Sequence, residues 1–448
     1  MIKRLLFLLL LFTFSFANAE TIKTDVLVIG GGPGGVAAAL QCARSKIKTM
    51  LVLQGASLGG FSASEKMYVI EANRNLPSGI WGEFRRMVTE HYKNQKGYDT
   101  TYNAILRFEP AVGAEVLNKL TDTVKKLSIK LNTTWTSIKK DGTGWEVTIT
   151  INNETVTVKA KVVIDATENG DVVKKAGAGM PERFDSTKGN GASDIYRTSI
   201  AAGEALPGQK STDANISKGN YPPYPSYCIP MRQVVVNDAD NLLIIDRALP
   251  ENKSIQYLPA QMALGQGAGT VAAFCAFFKT TTKHLNVRII QGELLDYKGY
   301  LLPFTDISSK DPHSRAIQQV CATGLLKGIQ NANGNSPEFQ FGPNNIVNTE
   351  EVKPVLNELY TRAFLWFNKE KPDAQFTVGN LLSFISDYTL TDPKTLQIAL
   401  QKSWSTQFKL TGGFDINRPV TRLEFAVLAN RYLNPFAKRV DMSGRVIN

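Results

Sequence analysis

The stretch "TDVLVIGGGPGGVAAALQCARSKIKTMLVLQG", from Thr24 to Gly55, constrains the fold more than any other part of the chain. "DVLVIG" is a continuous apolar run closed by glycine, the pattern of a strand buried on both faces of a parallel sheet. Gly30, Gly32 and Gly35 follow in G-x-G-x-x-G spacing around Pro33 and Gly34, and "VAAALQCARS" then offers the small-residue face of a closely packed helix. Each glycine has its own task. Gly30 permits the tight turn, Gly32 lets backbone approach a pyrophosphate, and Gly35 lets helix and strand close up. The free N–H groups of the helix start would face the phosphates. A second strand, "TMLVLQ", follows at the expected distance and ends at Gln54, where an acid commonly accepts from the ribose hydroxyls. The amide still accepts, with a bond weaker by about 1 kcal/mol.

Farther along, "TTWTSIKKDGTGWEVTITINNETVTVKAKVVIDATENGD" alternates polar and apolar residues, with turns at Asp141-Gly142 and Asn152-Asn153. The pattern predicts a three-stranded meander leading into one more buried strand, "KVVIDAT". This order of parts, together with a late "MALGQGAGTVAAF", resembles the FAD-dependent oxidoreductase family of two-dinucleotide-binding-domain flavoproteins from about Thr24 to Phe278.

Smaller pieces carry the same resemblance. "SLGGFS", with Gly59 and Gly60, is similar to the turn beside the flavin, and "RFEPAVGAEVLNKL" to the helix opening before the meander. The resemblance implies FAD as cofactor, with Ala166, Thr167 and Asp171 over its adenosine and pyrophosphate. It also implies that "NLLIID" and a helix starting after Gly265, Gln266 and Gly267 bring the ribityl chain and isoalloxazine to a helix N-terminus. Such an end would favour the negative charge of reduced flavin. "YCIPMRQVV" makes Arg232 the candidate anion-binding or flavin-facing cation.

Three positions depart from the family pattern: Gln54, Asp246 before Arg247, and an arginine absent from "SIQYLPAQ". No second glycine fingerprint occurs, so electrons are expected from a small-molecule substrate or a separate partner rather than from a built-in nicotinamide domain. The chain has only His91, His284 and His313 as imidazole bases, and none is assigned to catalysis.

Residues 1–19 combine Lys3 and Arg4, an apolar run and "ANA", the pattern of a cleaved signal peptide. An exported protein of the periplasm or cell envelope, without a membrane span after cleavage, is the expectation. Removing Lys3 and Arg4 lowers the formal charge from +11 to +9. The remaining basic residues are scattered, against a nucleic-acid groove. Cys42, Cys228, Cys275 and Cys321 have neither zinc nor redox spacing.

After Tyr300 the texture becomes helical. Phe341, Asn344, Val347, Glu351 and Leu359 match Phe414, Asn417, Val420, Glu424 and Tyr432 at a constant offset, an internal repeat. Asn348 and Thr421 each stand three residues before a glutamate, predicting a capping box in both copies. These segments resemble S-layer homology repeats, which implies attachment to a cell-envelope glycan; a helical packing or dimerisation appendage is the other reading.

The expected fold is α/β, with a Rossmann-like FAD-binding domain, β-meander and small substrate cap, followed by an α-helical repeat domain. The expected boundaries are 20–299 for the oxidoreductase part, with cap segments at about 61–110 and 178–230, then 300–435 for the repeats and 436–448 for a tail. Two functions stay open at this point: an exported FAD-dependent oxidoreductase, or a flavin-fold binding protein of the envelope without redox work.

Overall fold

The computed structural model describes residues 20–184, 194–205, 221–245, 249, 254–331 and 338–447. The expected signal segment 1–19, and Asp246 and Arg247, therefore lie outside the described residues.

In chain order, strand β1 (Thr21–Ile29) leads through the glycine turn into helix α1 (Pro33–Arg44) and strand β2 (Thr49–Val52). A short ribbon, β3 (Tyr68–Ile70) with β4 (Leu106–Phe108), brackets α2 (Gly79–Tyr92). Helix α3 (Pro110–Asp122) and β5 (Leu127–Lys130) precede the meander β6 (Thr134–Asp141), β7 (Gly144–Ile151) and β8 (Glu154–Asp165). Then come α4 (Asp171–Lys175), the antiparallel pair β9 (Ser199–Glu204) and β10 (Ser226–Pro230), β11 (Leu242–Ile244), α5 (Leu258–Phe278) and α6 (Val287–Asp296).

The main sheet runs β5-β2-β1-β8-β7-β6, with β11 also on β8. The β5, β2, β1, β8 and β11 pairings are parallel, and the meander is antiparallel. One expectation needs correction: the last meander strand and "KVVID" are a single strand. Residues 154–160 of β8 pair with β7, and its apolar end at 163–165 pairs with β11. A half-exposed alternating strand thus becomes fully buried without a break, so no turn signal separates the two parts. The meander turns stand where the sequence put them, with Gly142 at φ 59°, Asn152 at 50° and Asn153 at 68°.

Helix α5 is buried along most of its length and packs on α1 by glycine contacts. A Cβ at Gly265 would stand 2.1 Å from the Gly34 carbonyl oxygen, and one at Gly269 2.5 Å from that of Ala38. All four cysteines are free and buried, and burial pushes their thiols up, Cys275 to about 12.

The helical half contains α7 (Ser314–Cys321), a β12 (Ile329–Asn331)/β13 (Glu338–Gln340) ribbon, α8 (Thr349–Leu359), α9 (Ala363–Glu370), α10 (Val378–Thr389), α11 (Pro393–Ser403) and α12 (Arg422–Leu428). Its centre is a closed ring of backbone hydrogen bonds. Val347 N–H donates to the Val420 carbonyl at 3.0 Å, Val420 N–H to Phe376 at 2.8 Å, and Phe376 N–H to Val347 at 2.9 Å. Two residues on in each segment a second set closes a cycle in the opposite sense: Thr349 donates to Ala374, Val378 to Arg418 and Arg422 to Asn345.

Three segments, around Val347, Phe376 and Val420, therefore share one ring. The middle one escaped the sequence comparison because Phe376 stands for valine and Asn380 for the glutamate. The capping boxes also need correction. They form at Thr377/Asn380 and Thr421/Glu424, but Asn348 makes no side-chain cap. The carboxylate of Glu351 is taken instead by Arg422, which is 2% exposed.

The two halves are bolted together. Arg197 holds Glu358 of α8 through two bonds of 2.6 and 2.7 Å, and Phe436 and Val440 of the tail enter the core around α5. Glu204, at the end of β9, lies at the same junction. Burial first, then the charge of Glu338 on β13, push its carboxyl up to about 7 against the pull of Arg74.

An unfolded glutamate titrates near about 4.3. The native state thus keeps a proton that the unfolded chain releases, and stability falls as pH rises from about 4.5 to about 7. Glu204→Gln should equal the parent near pH ~4 and be more stable by about 1–2 kcal/mol near pH ~8, allowing for partial exposure. Urea midpoints at the two pH values check this; no gain at the higher pH would refute it.

Candidate functional site

The site grows from the turn after β1. Gly30 takes φ 120°, and a Cβ there would lie 2.1 Å from the Ala166 carbonyl oxygen, so β1 and the end of β8 meet backbone to backbone. Gly35 closes the same junction, its Cβ position 2.0 Å from the Gly30 carbonyl oxygen. Gly32 is different: a Cβ there meets nothing within 4 Å. It is the N-cap of α1, makes no side-chain cap, and is followed by Pro33 in the first turn. Unsatisfied N–H groups and the positive end of the helix dipole are left facing open space.

That space is a cavity of about 620 Å³, within the range of small-molecule and cofactor sites. Gly32 and Pro33 line it together with Gly59 and Gly60. Gly59, at φ 89°, donates its N–H to the Gly31 carbonyl at 2.8 Å, and Gly60, at φ 62°, has open space at its Cβ position. The Leu-Gly-Gly turn is thereby tied to the fingerprint, although almost thirty residues separate them in sequence.

The far wall comes from the start of α5. Ser254, Ile255 and Gln261 line the cavity, and Gln256 fixes this approach by accepting from Glu71 and Ala72 and donating to the Val69 carbonyl of β3. The N-cap of α5, Tyr257, makes no side-chain cap. A single tighter turn, Ile255–Tyr257, leads into it, and Ser254 caps that turn by accepting from Gln256 N–H at 3.3 Å, so the uncapped helix start at the cavity is that of α1, suited to an anionic group.

Gly265, Gln266 and Gly267 do not stand at a helix start. The helix begins seven residues earlier at Leu258, with Pro259 in its first turn, and these three are buried in its interior. Gly265 and Gly267 admit Gly34 and Ile200, while Gln266 accepts from Ile80 and donates to Gln41 and Tyr297. Pro259 was the available signal, since proline favours the first helical turn.

Ala166, buried, and Thr167, half-buried, form the corner after β8. Asp165, wholly buried, accepts from the N–H and hydroxyl of Thr167 and from Val173 N–H, at 2.6–2.9 Å. Burial raises its carboxyl and these bonds oppose the rise. The Thr167 hydroxyl accepts from Asp171 N–H, and the Asp171 side chain is half exposed, paired with Lys174. Neither Thr167 nor Asp171 lines the cavity; Glu168 and Asn169 do. Gln54 is exposed beyond β2, outside the lining, and Arg232 is likewise exposed and outside it.

Among the described residues the cation that lines the cavity is Arg183, joined by Glu65 and Tyr68. Nothing local in the sequence marks these residues, which two separate segments bring together. Among the described residues no cluster of His, Cys, Asp and Glu could hold a metal, and no helix is long and apolar enough to cross a membrane.

The glycine cradle and the uncapped start of α1 fit a dinucleotide cofactor, and comparison with known proteins agrees. Residues 25–192 match the family model described as FAD dependent oxidoreductase. No curated protein matches the chain. Similar solved structures include p-nitrophenol 4-monooxygenase from Pseudomonas putida DLL-E4 (17% identity over 36% of this chain and 44% of that one, TM-score 0.24). A bacillithiol disulfide reductase from Staphylococcus aureus is similar at 14% identity over 32% of this chain and 38% of that one, TM-score 0.23. A rebeccamycin biosynthetic enzyme with reduced flavin matches at 17% over 37% of each chain, TM-score 0.27. The chain spans less than half the length of each of these. The segment from 25 to 192 is thus similar to the FAD-dependent oxidoreductases, and this match supports FAD as the cofactor.

Proposed function

We propose that the protein is an exported oxidoreductase that oxidises a small molecule at the cavity beside Gly32, with a separate partner as electron acceptor. The observation that carries this reading is the open cavity wall at Gly32, where an uncapped helix meets the Gly59–Gly60 turn. In it Gly32, Pro33 and the first turn of α1 would hold the pyrophosphate, and Gly59, Gly60 and Gln261 would border the flavin end. FAD supplies hydride or single-electron acceptance when bound. The chain's own groups bind and orient: Arg183 brings positive charge, and Glu65 and Glu168 bring carboxylates able to hold or move a proton.

Export is proposed from the pattern of residues 1–19. The helical half is proposed to be S-layer homology-like and to attach the enzyme to a cell-envelope glycan. The closed threefold ring at Val347, Phe376 and Val420, with three helix starts around it, supports a repeat reading.

The test is the visible spectrum of the purified chain and of Gly32→Val. The parent should release one flavin per chain on denaturation and bleach with a reductant. Gly32→Val should bind FAD at least about tenfold more weakly with an unchanged melting temperature, because its side chain enters ligand space rather than protein. A parent chain colourless even after refolding with excess FAD would favour the flavin fold kept without redox work.

A further inference from the structure

A second cavity, of about 660 Å³, lies between α2, the loop that follows it and the segment entering the helical half. It shares no residue with the cavity at Gly32. Its lining carries five cations against two carboxylates. Both carboxylates are engaged: Glu83 takes Arg44 through bonds of 2.6 and 2.8 Å, and Glu90 takes Lys93. Arg85 is also committed, since its buried guanidinium donates to the carbonyls of Arg74 and Ala104 and so holds the loop wall. Arg86, Lys298 and Lys310 remain exposed around the cavity, with no carboxylate partner among the described residues.

The rest of the lining is hydroxylated. Thr89, Thr100, Thr101, Ser308 and Ser309 contribute hydroxyls. Tyr102, 60% exposed, adds an aromatic ring with a polar tip. Unpaired cations call for an anion, side-chain hydroxyls for a ligand rich in donors and acceptors, and an accessible ring for an apolar face. Lys298 sits at φ 61°, as Lys46, Lys279, Lys371 and Lys409 also take positive φ, and its carbonyl accepts from Gly79 N–H at 2.8 Å, so its backbone is fixed while its charge borders the cavity.

We propose that this cleft is a binding site for an acidic saccharide, with Arg86, Lys298 and Lys310 holding carboxylate groups and Tyr102 stacking on a sugar face. The site stands on side chains from both halves of the chain, so the bolted junction is what assembles it. It is separate from the ring at Val347 and from the flavin cavity.

Titration calorimetry of the full chain with trigalacturonate tests it, with maltotriose as the neutral control and a short oligothymidylate as the other polyanion. We expect one saturable site for trigalacturonate, weakened by salt, and little binding of either control. Arg86→Ala with Lys310→Ala should weaken binding about tenfold or more. Lys298→Gly should weaken it while leaving the melting temperature equal or higher, because the strained φ is relieved. Flavin absorbance should not change in any variant, so a failure here is distinct from a failure of the flavin reading. Absence of saturable binding, equal binding of maltotriose, equal or tighter binding of oligothymidylate, or variants without effect would each overturn the proposal.

Discussion

Gly265→Val is expected to cost about 3–4 kcal/mol and to lower the melting temperature by roughly 10 °C. The first atom of the new side chain would stand 2.1 Å from the Gly34 carbonyl oxygen and 2.8 Å from its Cα, and neither can yield as a flexible side chain would. Helix α5 must move off α1, and α1 carries the turn whose N–H groups face the cavity. FAD affinity should therefore fall together with stability. Gly32→Val is the contrasting case, since affinity falls there while stability holds. Thermal unfolding of both variants beside the parent measures the contrast. A Gly265→Val protein melting within about 2 °C of the parent would mean that the two helices are not locked by backbone contact.

Arg422→Ala is expected to destabilise the helical half by about 3–5 kcal/mol. The guanidinium is 2% exposed; it donates to the Phe341 carbonyl at 2.8 Å, to the Lys327 carbonyl and to the Glu351 carboxylate, and lies over the Phe341 ring. Truncation leaves a carboxylate and two carbonyls without their donor, and the cost of the orphaned charge dominates. Arg422→Met combined with Glu351→Met removes both charges and should recover about half of the loss. Chemical denaturation followed by tryptophan fluorescence suits this test, because Trp366 and Trp404 lie in the core of that half. A loss below about 1 kcal/mol would mean that solvent, not Arg422, satisfies Glu351.

Several elements were legible because their signals are local. The run "DVLVIG" with its glycines specified strand, turn and helix in order, and the two Asx and glycine turns of the meander fell where positive φ was needed. Other elements were not. The start of α5 was placed seven residues late, at a conspicuous Gly-Gln-Gly, because a glycine run serves a helix–helix contact as well as a phosphate turn. Sequence spacing does not distinguish the two uses; the partner at Gly34 does. The predicted Asn348–Glu351 cap failed for a related reason, since a buried guanidinium from a residue 71 positions away outcompetes a local N–H for the carboxylate.

By itself the sequence determined the Rossmann-like strand, glycine turn and helix at the N-terminus and the helical texture after Tyr300, since each rests on periodicity and on residues within one turn of each other. Only the tertiary structure decided that three helical segments close a ring and that Gly265–Gly267 belong to the core. It alone brought Tyr68, Arg183 and Gln261 to one cavity. Those outcomes depend on which distant segments share a volume, a matter of close packing and of where buried charges find partners, and no local pattern in the chain encodes it.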